Sequence, residues 1–213
     1  MSIVDVGAGT GSYEPIDRRV VAVEPSTVMI RQRSRSAPPA VRAIADALPF
    51  PAGSFDAALA VLTVHHWPEW QQGLREMRRV AQRVVVLTYD VAVSRTFWLV
   101  RDYVPAVGAL DQKRTPIADD IATEIGATRI EPVAVPFDCV DGFLCAYWRR
   151  PEAYLSPDVR ACISGLAQLD PADVLPGIAR LRADLDSGRW RERHGDLFAQ
   201  DEFDGGYRLI VRE

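Results

Sequence analysis

The feature that most constrains the fold is a glycine-rich turn at the beginning of the chain. Residues 3–13 read Ile-Val-Asp-Val-Gly-Ala-Gly-Thr-Gly-Ser-Tyr, so a short apolar run leads into Gly7, Gly9 and Gly11. Glycine adopts positive φ and has no Cβ, so a ligand can lie directly against the main chain of such a turn. In doubly wound α/β folds this turn follows the first strand, beside the point where cofactors bind. The sequence therefore predicts an α/β fold with a ligand site at this turn.

Four further apolar runs follow the turn and predict buried parallel strands. These runs cover residues 19–24, 41–46, 55–62 and 83–88. Capping and apolar spacing predict helices from Ser26 to Arg35, with Ser26 as the N-cap, and from Trp70 to Val80. Only residues 12–18 separate the glycine turn from the second strand, which is too few for a full crossover helix, so we expect one helical turn there at most.

The second half of the chain is mostly helical by pattern. Residues 91–115 favour a lid helix, 117–125 a helix that ends at Gly126, and 130–137 a strand near an edge. Helical pieces between 143 and 193 are divided by Pro157, Pro171 and Pro176, and a last strand covers 206–212.

These elements together predict a doubly wound, Rossmann-like α/β fold. We expect a seven-stranded, mostly parallel sheet with an antiparallel last strand and a helical insertion or lid. The core would comprise residues 1–142 and 203–213. Residues 143–202 would form the insertion within the same domain and cap the substrate.

Composition excludes several classes of function. The chain has 213 residues and a formal net charge of −4, so it lacks the basic footprint of a nucleic-acid-binding protein. Its three cysteines are an odd count with no C-x-x-C pair, which argues against a disulfide framework or a zinc site and for a reducing compartment, and we expect no metal site. No apolar run reaches the roughly 18 residues of a membrane span, and no signal peptide precedes the first strand, so we expect a cytoplasmic protein. The oligomeric state stays open, and a homodimer is one possibility.

A local cluster of arginines lies near a predicted helix end. We interpret Arg31, Arg33 and Arg35 as a solvated face.

The spacing of the glycines separates two kinds of cofactor. A dinucleotide fingerprint, G-x-G-x-x-G, would place its third glycine at position 12, where the chain has Ser12. The G-x-G-x-G spacing after Asp5 resembles motif I of class I S-adenosylmethionine-dependent methyltransferases. This resemblance implies that Asp5, Gly7, Gly9 and Gly11 bind S-adenosyl-L-methionine.

An acid at the end of the second strand extends the resemblance. Folds of this topology place there a carboxylate that binds ribose hydroxyls, which is the role expected of Glu24. With Pro25 and Met29 it resembles the segment that follows motif I in small-molecule methyltransferases. The thioether of Met29 would contact the adenine ring, and ordinary packing of helix on sheet is the alternative.

A longer block lies between the third and fourth strands. Residues 45–56 resemble the A-x-x-L-P-F-x-x-x-S-F-D pattern of the methyltransferase type 11 group, which includes the ubiquinone and menaquinone biosynthesis C-methyltransferases. The resemblance implies that Asp46 and the backbone of Ala47 bind the adenine. Residues 74–80 are similar to the group's L-x-E-x-x-R-V segment, and the resemblance covers about residues 3–90.

Candidate catalytic groups follow two of the predicted strands. The resemblance implies that Leu62 lies in the cofactor site and that His65 and His66 adjoin the reaction centre. The pKa of histidine lies near neutrality, so either could be a general base; contact with the cofactor without proton transfer is the alternative. Asp138, in a polar interruption after the strand 130–137, is a further candidate base, and its alternative is a capping turn.

We therefore predict a methyltransferase that uses S-adenosyl-L-methionine and acts on a small-molecule substrate. Two alternatives remain at this point. A methyltransferase-like module without catalytic activity would keep the fold and bind the cofactor weakly or not at all. An NAD-type oxidoreductase would also use a glycine turn and Glu24, but Ser12 and the Leu-Pro-Phe block disfavour it.

Overall fold

The computed structural model describes every residue from Met1 to Glu213. Its strands are β1 (Ser2–Val6), β2 (Arg19–Val23), β3 (Ala40–Val41), β4 (Phe55–Val61), β5 (Ala81–Tyr89), β6 (Arg129–Pro132), β7 (Val135–Pro136), β8 (Glu202–Phe203) and β9 (Tyr207–Arg212). Seven of them form one sheet in the order β3-β2-β1-β4-β5-β9-β6, and β7 pairs with β8 in a second sheet.

The large sheet has the predicted doubly wound topology. β1 pairs in parallel with β2 on one side and with β4 on the other, β2 pairs in parallel with β3, and β4 pairs in parallel with β5. At the far edge β6 and β9 are antiparallel. The direction of winding reverses at β1, so the glycine turn that follows this strand lies at the topological switch point, where α/β sheets bind ligands. The predicted fold class is confirmed.

The helices are shorter and more numerous than the sequence pattern suggests. They are α1 (Thr27–Gln32), α2 (Trp70–Val80), α3 (Val91–Ser94), α4 (Pro105–Arg114), α5 (Ala118–Ile125), α6 (Pro157–Cys162), α7 (Ser164–Ala167), α8 (Pro171–Asp186) and α9 (Arg189–His194). Short 3-10 segments cover 64–66, 151–155 and 195–199, and a π-helical turn covers Leu99–Tyr103. No helix has the length and apolar character needed to cross a membrane.

The chain divides into two compact units. The first unit comprises residues 1–89, 115–132 and 208–213, and the second comprises 90–114 and 133–207. The second unit contains the predicted insertion 143–202 together with residues 90–114, 133–142 and 203–207. That the insertion caps the substrate stays a prediction.

The core of the first unit lies between the large sheet and its helices. Val4, Ala58 and Val84, from neighbouring strands, are completely buried. The predicted helix α2 contributes Leu74 and Met77, which lie on one face because they are three residues apart. Burying a side chain of this size stabilises the fold by roughly 1.5–3 kcal/mol.

Several predicted boundaries are confirmed. Ser26 caps α1 by accepting a hydrogen bond from the backbone N–H of Met29 (3.3 Å). The chain between Ser12 and Arg18 forms turns without a helix, as its length requires. α5 ends at Gly126, whose φ of 64° is the left-handed conformation that favours glycine.

Other predictions were wrong in extent. The third strand was expected over 41–46 but covers only Ala40–Val41, because β2, its pairing partner, ends at Val23. The run 130–137 is two strands, the sheet-edge strand β6 and the separate β7. The expected lid helix at 91–115 is broken into α3, the π-helical turn and α4.

Pro176 does not divide the helical region as expected. It lies within α8, which runs from Pro171 to Asp186, and Asp170 caps this helix through a hydrogen bond from Ala172 N–H (2.8 Å). A proline inside a helix lacks the N–H for one hydrogen bond and usually costs about 3 kcal/mol. The other hydrogen bonds and the packing of this sixteen-residue helix outweigh that cost.

The core of the second unit is aromatic. The ring of Trp98 meets those of Tyr154 and Trp190 edge-on at centroid distances of 5.5 and 5.2 Å, and its Nε1 donates to the Trp148 carbonyl (2.9 Å). Such pairs add about 0.5–1.5 kcal/mol each beyond burial. Most aromatic residues of this region are buried, whereas Phe137 is exposed and Tyr147 is half-buried.

Gly177 tests how tightly α8 packs in the second unit. A Cβ at this position would lie 2.1 Å from the carbonyl oxygen of Tyr103, a backbone atom that cannot turn away. We expect Gly177→Ala to lower the free energy of unfolding by about 1–3 kcal/mol, although alanine is the better helix former. Urea unfolding followed by circular dichroism measures the change.

The matched control is Gly195→Ala, where an added Cβ meets nothing within 4 Å and φ is −59°. This substitution should be neutral or stabilising by up to about 1 kcal/mol. Equal effects at the two positions would contradict the close approach at Gly177.

Candidate functional site

The glycine turn has a backbone that only glycine adopts readily. Gly7, Gly9 and Gly11 have φ values of 76°, 55° and 93°. The N–H groups of Gly7 and Ala8 both donate to the carbonyl of Val23, at 2.8 and 3.1 Å. The turn is therefore held against the carboxyl end of β2.

Gly7 also brings the turn close to the loop after β4. A Cβ on Gly7 would lie 2.1 Å from Oγ1 of Thr63. Any side chain at this position would push the two loops apart. The carboxyl ends of β1 and β4 thus meet where both predicted groups of site residues begin.

Glu24 is buried and organises the turn. The residue is 5% exposed, and its two carboxylate oxygens accept hydrogen bonds from the backbone N–H groups of Gly9 (2.9 Å) and Ser26 (2.8 Å). One side chain therefore joins the glycine turn to the start of α1. Each oxygen has a further lone pair, so the carboxylate can still accept from two hydroxyl groups.

Met29 lies beside the turn and Pro25 lies at its rim. The sulfur of Met29 is 3.7 Å from the place where a Cβ of Gly9 would be, and the side chain is exposed. Met29 is therefore not packed in the core between helix and sheet. Pro25 is exposed, and its carbonyl accepts from Nε of Arg42 (3.3 Å).

A buried ion pair fills the space beside Gly11. Arg33 and Glu14 are paired, and their side chains are only 5% and 4% exposed. Nη1 of Arg33 also donates to the carbonyl of Gly9 (3.3 Å), and a Cβ on Gly11 would lie 3.1 Å from the same nitrogen. The absent side chain of Gly11 thus leaves room for a guanidinium.

The solvated-face interpretation is wrong for Arg33 and correct for its neighbours. Arg31 and Arg35 are exposed. α1 ends at Gln32, and extended backbone at Arg33 turns that side chain toward Glu14. Spacing could not reveal this contact, because the two residues are brought together only by the fold.

Asp5 lies in an unusual electrostatic environment. It is 2% exposed, and burial, reinforced by Glu14 and Glu24 and opposed by Arg33, raises its pKa from 3.8 to about 7. A carboxyl with this pKa is poised to gain or lose a proton near neutrality. Three acids and one arginine therefore cluster at the glycine turn, which favours a cationic ligand.

The Leu-Pro-Phe block is tied to α2 by two charged side chains. Glu76 accepts from the N–H of Leu48 (2.9 Å), and Arg79 donates to the carbonyls of Leu48 (3.0 Å) and Phe50 (2.7 Å). This is the physical connection between the two segments that resemble the type 11 group. Asp46 is half-buried in the turn before this block, and the Ala47 N–H faces the carbonyl of Ile44 at 3.4 Å.

The loop after β4 is strained at its first residue. Leu62 has a φ of 51°, the only positive value outside glycine. Backbone of this kind costs about 1–3 kcal/mol and is concentrated at functional sites. The strained turn leads into the 3-10 segment that holds both histidines.

The two histidines differ in exposure. His65 is buried and His66 is exposed, with ring centroids 4.0 Å apart. The ring of Tyr89, at the end of β5, meets His65 edge-on at 5.3 Å, and the Thr115 hydroxyl donates to the Tyr89 hydroxyl (3.0 Å).

The third candidate base, Asp138, belongs to the second unit, where it is exposed in the turn after β7. Proton transfer by any of the three stays a prediction.

Comparison with known proteins gives a consistent picture. A family model described as "Methyltransferase domain" matches residues 4–87. A solved structure from Anabaena variabilis, assigned as a methyltransferase from an antibiotic biosynthesis pathway, is 33% identical, with a TM-score of 0.90 over 100% of this chain and 90% of that one. A Thermotoga maritima methyltransferase structure (24% identity, TM-score 0.50, 63% of this chain and 67% of that one) supports the fold alone.

Two curated plant proteins match about half of the chain. The rice chloroplast protein 2-methyl-6-phytyl-1,4-hydroquinone methyltransferase 1 is 31% identical over an alignment of 111 positions, and this alignment covers 47% of this chain and 34% of that protein. A second rice protein of the same kind is 32% identical over 114 residues. The chain thus spans about a third of the length of the curated relatives that it matches.

The ion pair beside Gly11 makes a prediction about stability. Arg33→Gln would leave the carboxylate of Glu14 buried without its partner, so we expect a loss of about 3–5 kcal/mol in the free energy of unfolding. The double variant Arg33→Gln/Glu14→Gln should recover most of that loss, since no charge is then left uncompensated. Urea unfolding of the wild type, of the single variants Arg33→Gln and Glu14→Gln and of the double variant measures these quantities.

The exposed Arg31→Gln, two positions away, serves as the control and should change stability by less than about 0.5 kcal/mol. Additive losses in the double variant would show that the two side chains act independently.

Asp5 should make stability depend on pH. Its pKa in the folded state, about 7, lies above the ordinary 3.8, so the folded protein holds a proton that the unfolded chain has released between these values. The free energy of unfolding should therefore fall as pH rises through this window, by at most about 1.4 kcal/mol per pH unit.

Asp5→Asn should remove this component, while the exposed Asp17→Asn should leave it. Urea unfolding at several pH values across the window gives the two slopes. A variant profile parallel to that of the wild type would disprove the assignment to Asp5.

Proposed function

The chain belongs to the class I S-adenosylmethionine-dependent methyltransferases, and we propose that it transfers a methyl group to a small-molecule acceptor. The observation that carries the cofactor assignment is the glycine turn at the switch point of the sheet, with its main chain bare at Gly9 and bound to the carboxylate of Glu24. The small-molecule acceptor is the part of the proposal that goes beyond the family assignment.

The residues at the turn fit S-adenosylmethionine. Backbone without side chains allows close approach of the amino-acid and ribose parts, and Glu24 retains acceptor capacity for two vicinal hydroxyls. The thioether of Met29, exposed beside Gly9, is suited to contact with an aromatic base. The buried acids around Asp5 suit a cofactor that bears ammonium and sulfonium charges.

When bound, the cofactor would supply a methyl carbon on positively charged sulfur, open to in-line attack by the acceptor's nucleophile, with the neutral thioether S-adenosylhomocysteine as the leaving group. The chain's own residues then have three tasks: to hold the cofactor, to align the acceptor and to exclude water. Glu24 and the glycine turn perform the first. Asp46 and the backbone of Ala47 are proposed to hold the adenine, with Leu62 beside them.

His66 is the better candidate for a general base. It is exposed, so an acceptor hydroxyl, thiol or amine can reach its imidazole, and a neutral ring nitrogen can take the proton that the acceptor loses. His65 is buried between the rings of His66 and Tyr89 and is proposed to orient its neighbour. Asp138 stays a second candidate base.

A small-molecule acceptor is supported by the relatives. The rice proteins are named for a hydroquinone substrate, and the Anabaena protein is assigned to an antibiotic biosynthesis pathway. A negatively charged chain also disfavours nucleic acid as acceptor. The cytoplasmic location remains a prediction, and the oligomeric state stays open.

Isothermal titration calorimetry tests the cofactor site. We expect S-adenosylhomocysteine to bind with roughly micromolar affinity, about −8 kcal/mol, and NAD not to bind. Glu24→Gln replaces one acceptor oxygen by a donor that faces a backbone N–H, and should weaken binding by about 1.5–3 kcal/mol. Glu131→Gln, on the exposed edge strand β6, is the control and should bind as the wild type does.

Methyl transfer itself is tested by mass spectrometry of small phenols and hydroquinones incubated with the protein and S-adenosylmethionine. A gain of one methyl group that is lost in Glu24→Gln supports the proposal. Cofactor binding without transfer to any small acceptor would favour the alternative of a binding module, and absence of binding would remove the cofactor site altogether.

A further inference from the structure

The second unit contains a cavity that the methyltransferase assignment does not use. It has a volume of about 280 Å³ and is lined by Asp102, Tyr103, Arg180, Asp184, Arg189 and Arg193. We call it the arginine cavity. Its volume is near the lower end of the range for small-molecule sites, roughly 300–1,000 Å³.

Asp184 organises the cavity wall. Its carboxylate accepts hydrogen bonds from the Tyr103 hydroxyl (2.9 Å) and from Nε of Arg189 (2.9 Å), and it also pairs with Arg193. These contacts join α8 to α9 and to the π-helical turn. They also mean that the negative charge of Asp184 is already compensated within the wall.

Asp102 is compensated in the same way. Both of its oxygens accept from Arg101, at 2.7 and 2.8 Å. Nε2 of His194 lies 3.2 Å from the same carboxylate. Burial lowers the pKa of His194, although Asp102 opposes the shift, so the imidazole is uncharged at neutral pH.

Arg180 is the arginine of the cavity wall whose positive charge is not neutralised by these ion pairs. It lies one turn before Asp184 on α8 and donates from Nη2 to the carbonyl of Tyr103 (2.9 Å), but it forms no ion pair with a carboxylate. Asp184 balances only one of Arg189 and Arg193. The wall and Arg101 together carry four arginines against two aspartates, a net charge of +2 in a chain of −4.

The arginines have donors left for a ligand. A guanidinium carries five N–H donors in a planar fork, and Arg189, Arg193 and Arg180 each use one nitrogen in the contacts described above. The side chains of Arg189 and Arg193 are 58% and 47% exposed, so a ligand can reach them from solvent. Forks of this kind bind phosphate and carboxylate oxygens in pairs.

We propose that the arginine cavity binds a phosphate dianion, either free or as the phosphoryl group of a small organic molecule. The excess of two positive charges matches a dianion better than a single carboxylate. The cavity lies entirely within the second unit, whereas all the proposed cofactor-binding residues lie in the first, so the proposal does not rest on the cofactor site.

Arg180→Gln is the most informative variant, because it removes the unpaired charge and leaves the contacts of Asp184 in place. The control is Arg182→Gln, an exposed position on the same helix that does not line the cavity. Arg193→Gln serves as a second test of the wall. Thermal unfolding and the affinity for S-adenosylhomocysteine establish that each variant is folded.

Calorimetry with inorganic phosphate and with phenyl phosphate, in a buffer of low ionic strength, measures the binding. We expect saturable binding to the wild type, weakened about tenfold or more by Arg180→Gln and by Arg193→Gln, and unchanged in Arg182→Gln. Tighter binding of phenyl phosphate would identify an organic phosphoryl group as the ligand, and equal or weaker binding would identify the free anion. Absence of saturable binding, or equal weakening in Arg182→Gln, would overturn the proposal.

Discussion

The carboxylate of Glu24 is the contact on which the shape of the cofactor turn depends. It joins the backbone of Gly9, after β1, to that of Ser26, before α1, and it does so while almost completely buried. A charged group is stable there because each oxygen receives a hydrogen bond. The same acid that would bind the ribose therefore also determines the path of the chain around it.

The connection between β1 and β2 is unusually short and contains no helix. Charged side chains pack beside the glycine turn instead. Here Arg33 returns from the end of α1 to pair with Glu14 and to bind the carbonyl of Gly9, in the space that Gly11 leaves open. The consequence is a pair of opposite charges beneath the glycine turn. Asp5 lies nearby, and burial, reinforced by Glu14 and opposed by Arg33, raises its pKa to about 7.

Strong local patterns were sufficient for much of the fold. The glycine turn, the apolar face of α2 and the glycine stop at Gly126 each depend on neighbouring residues, and all three were predicted correctly. Elements that depend on a partner were predicted less well. β3 is short because β2 ends, and Pro176 is accommodated because α8 is stabilised along its length. The contacts of Glu76 and Arg79 with the Leu-Pro-Phe block explain two sequence segments that pattern alone left unconnected.

By itself, the sequence determined the fold class, the position of the glycine turn and the acid at the end of β2, because each is set by residue types a few positions apart. Only the tertiary structure decided that Arg33 is buried, that His65 is covered while His66 is exposed, and that three arginines share a cavity with Asp184. These features join residues that are distant along the chain or distinguish neighbours with similar side chains. Their environment depends on which elements pack together, and residue spacing carries no record of that.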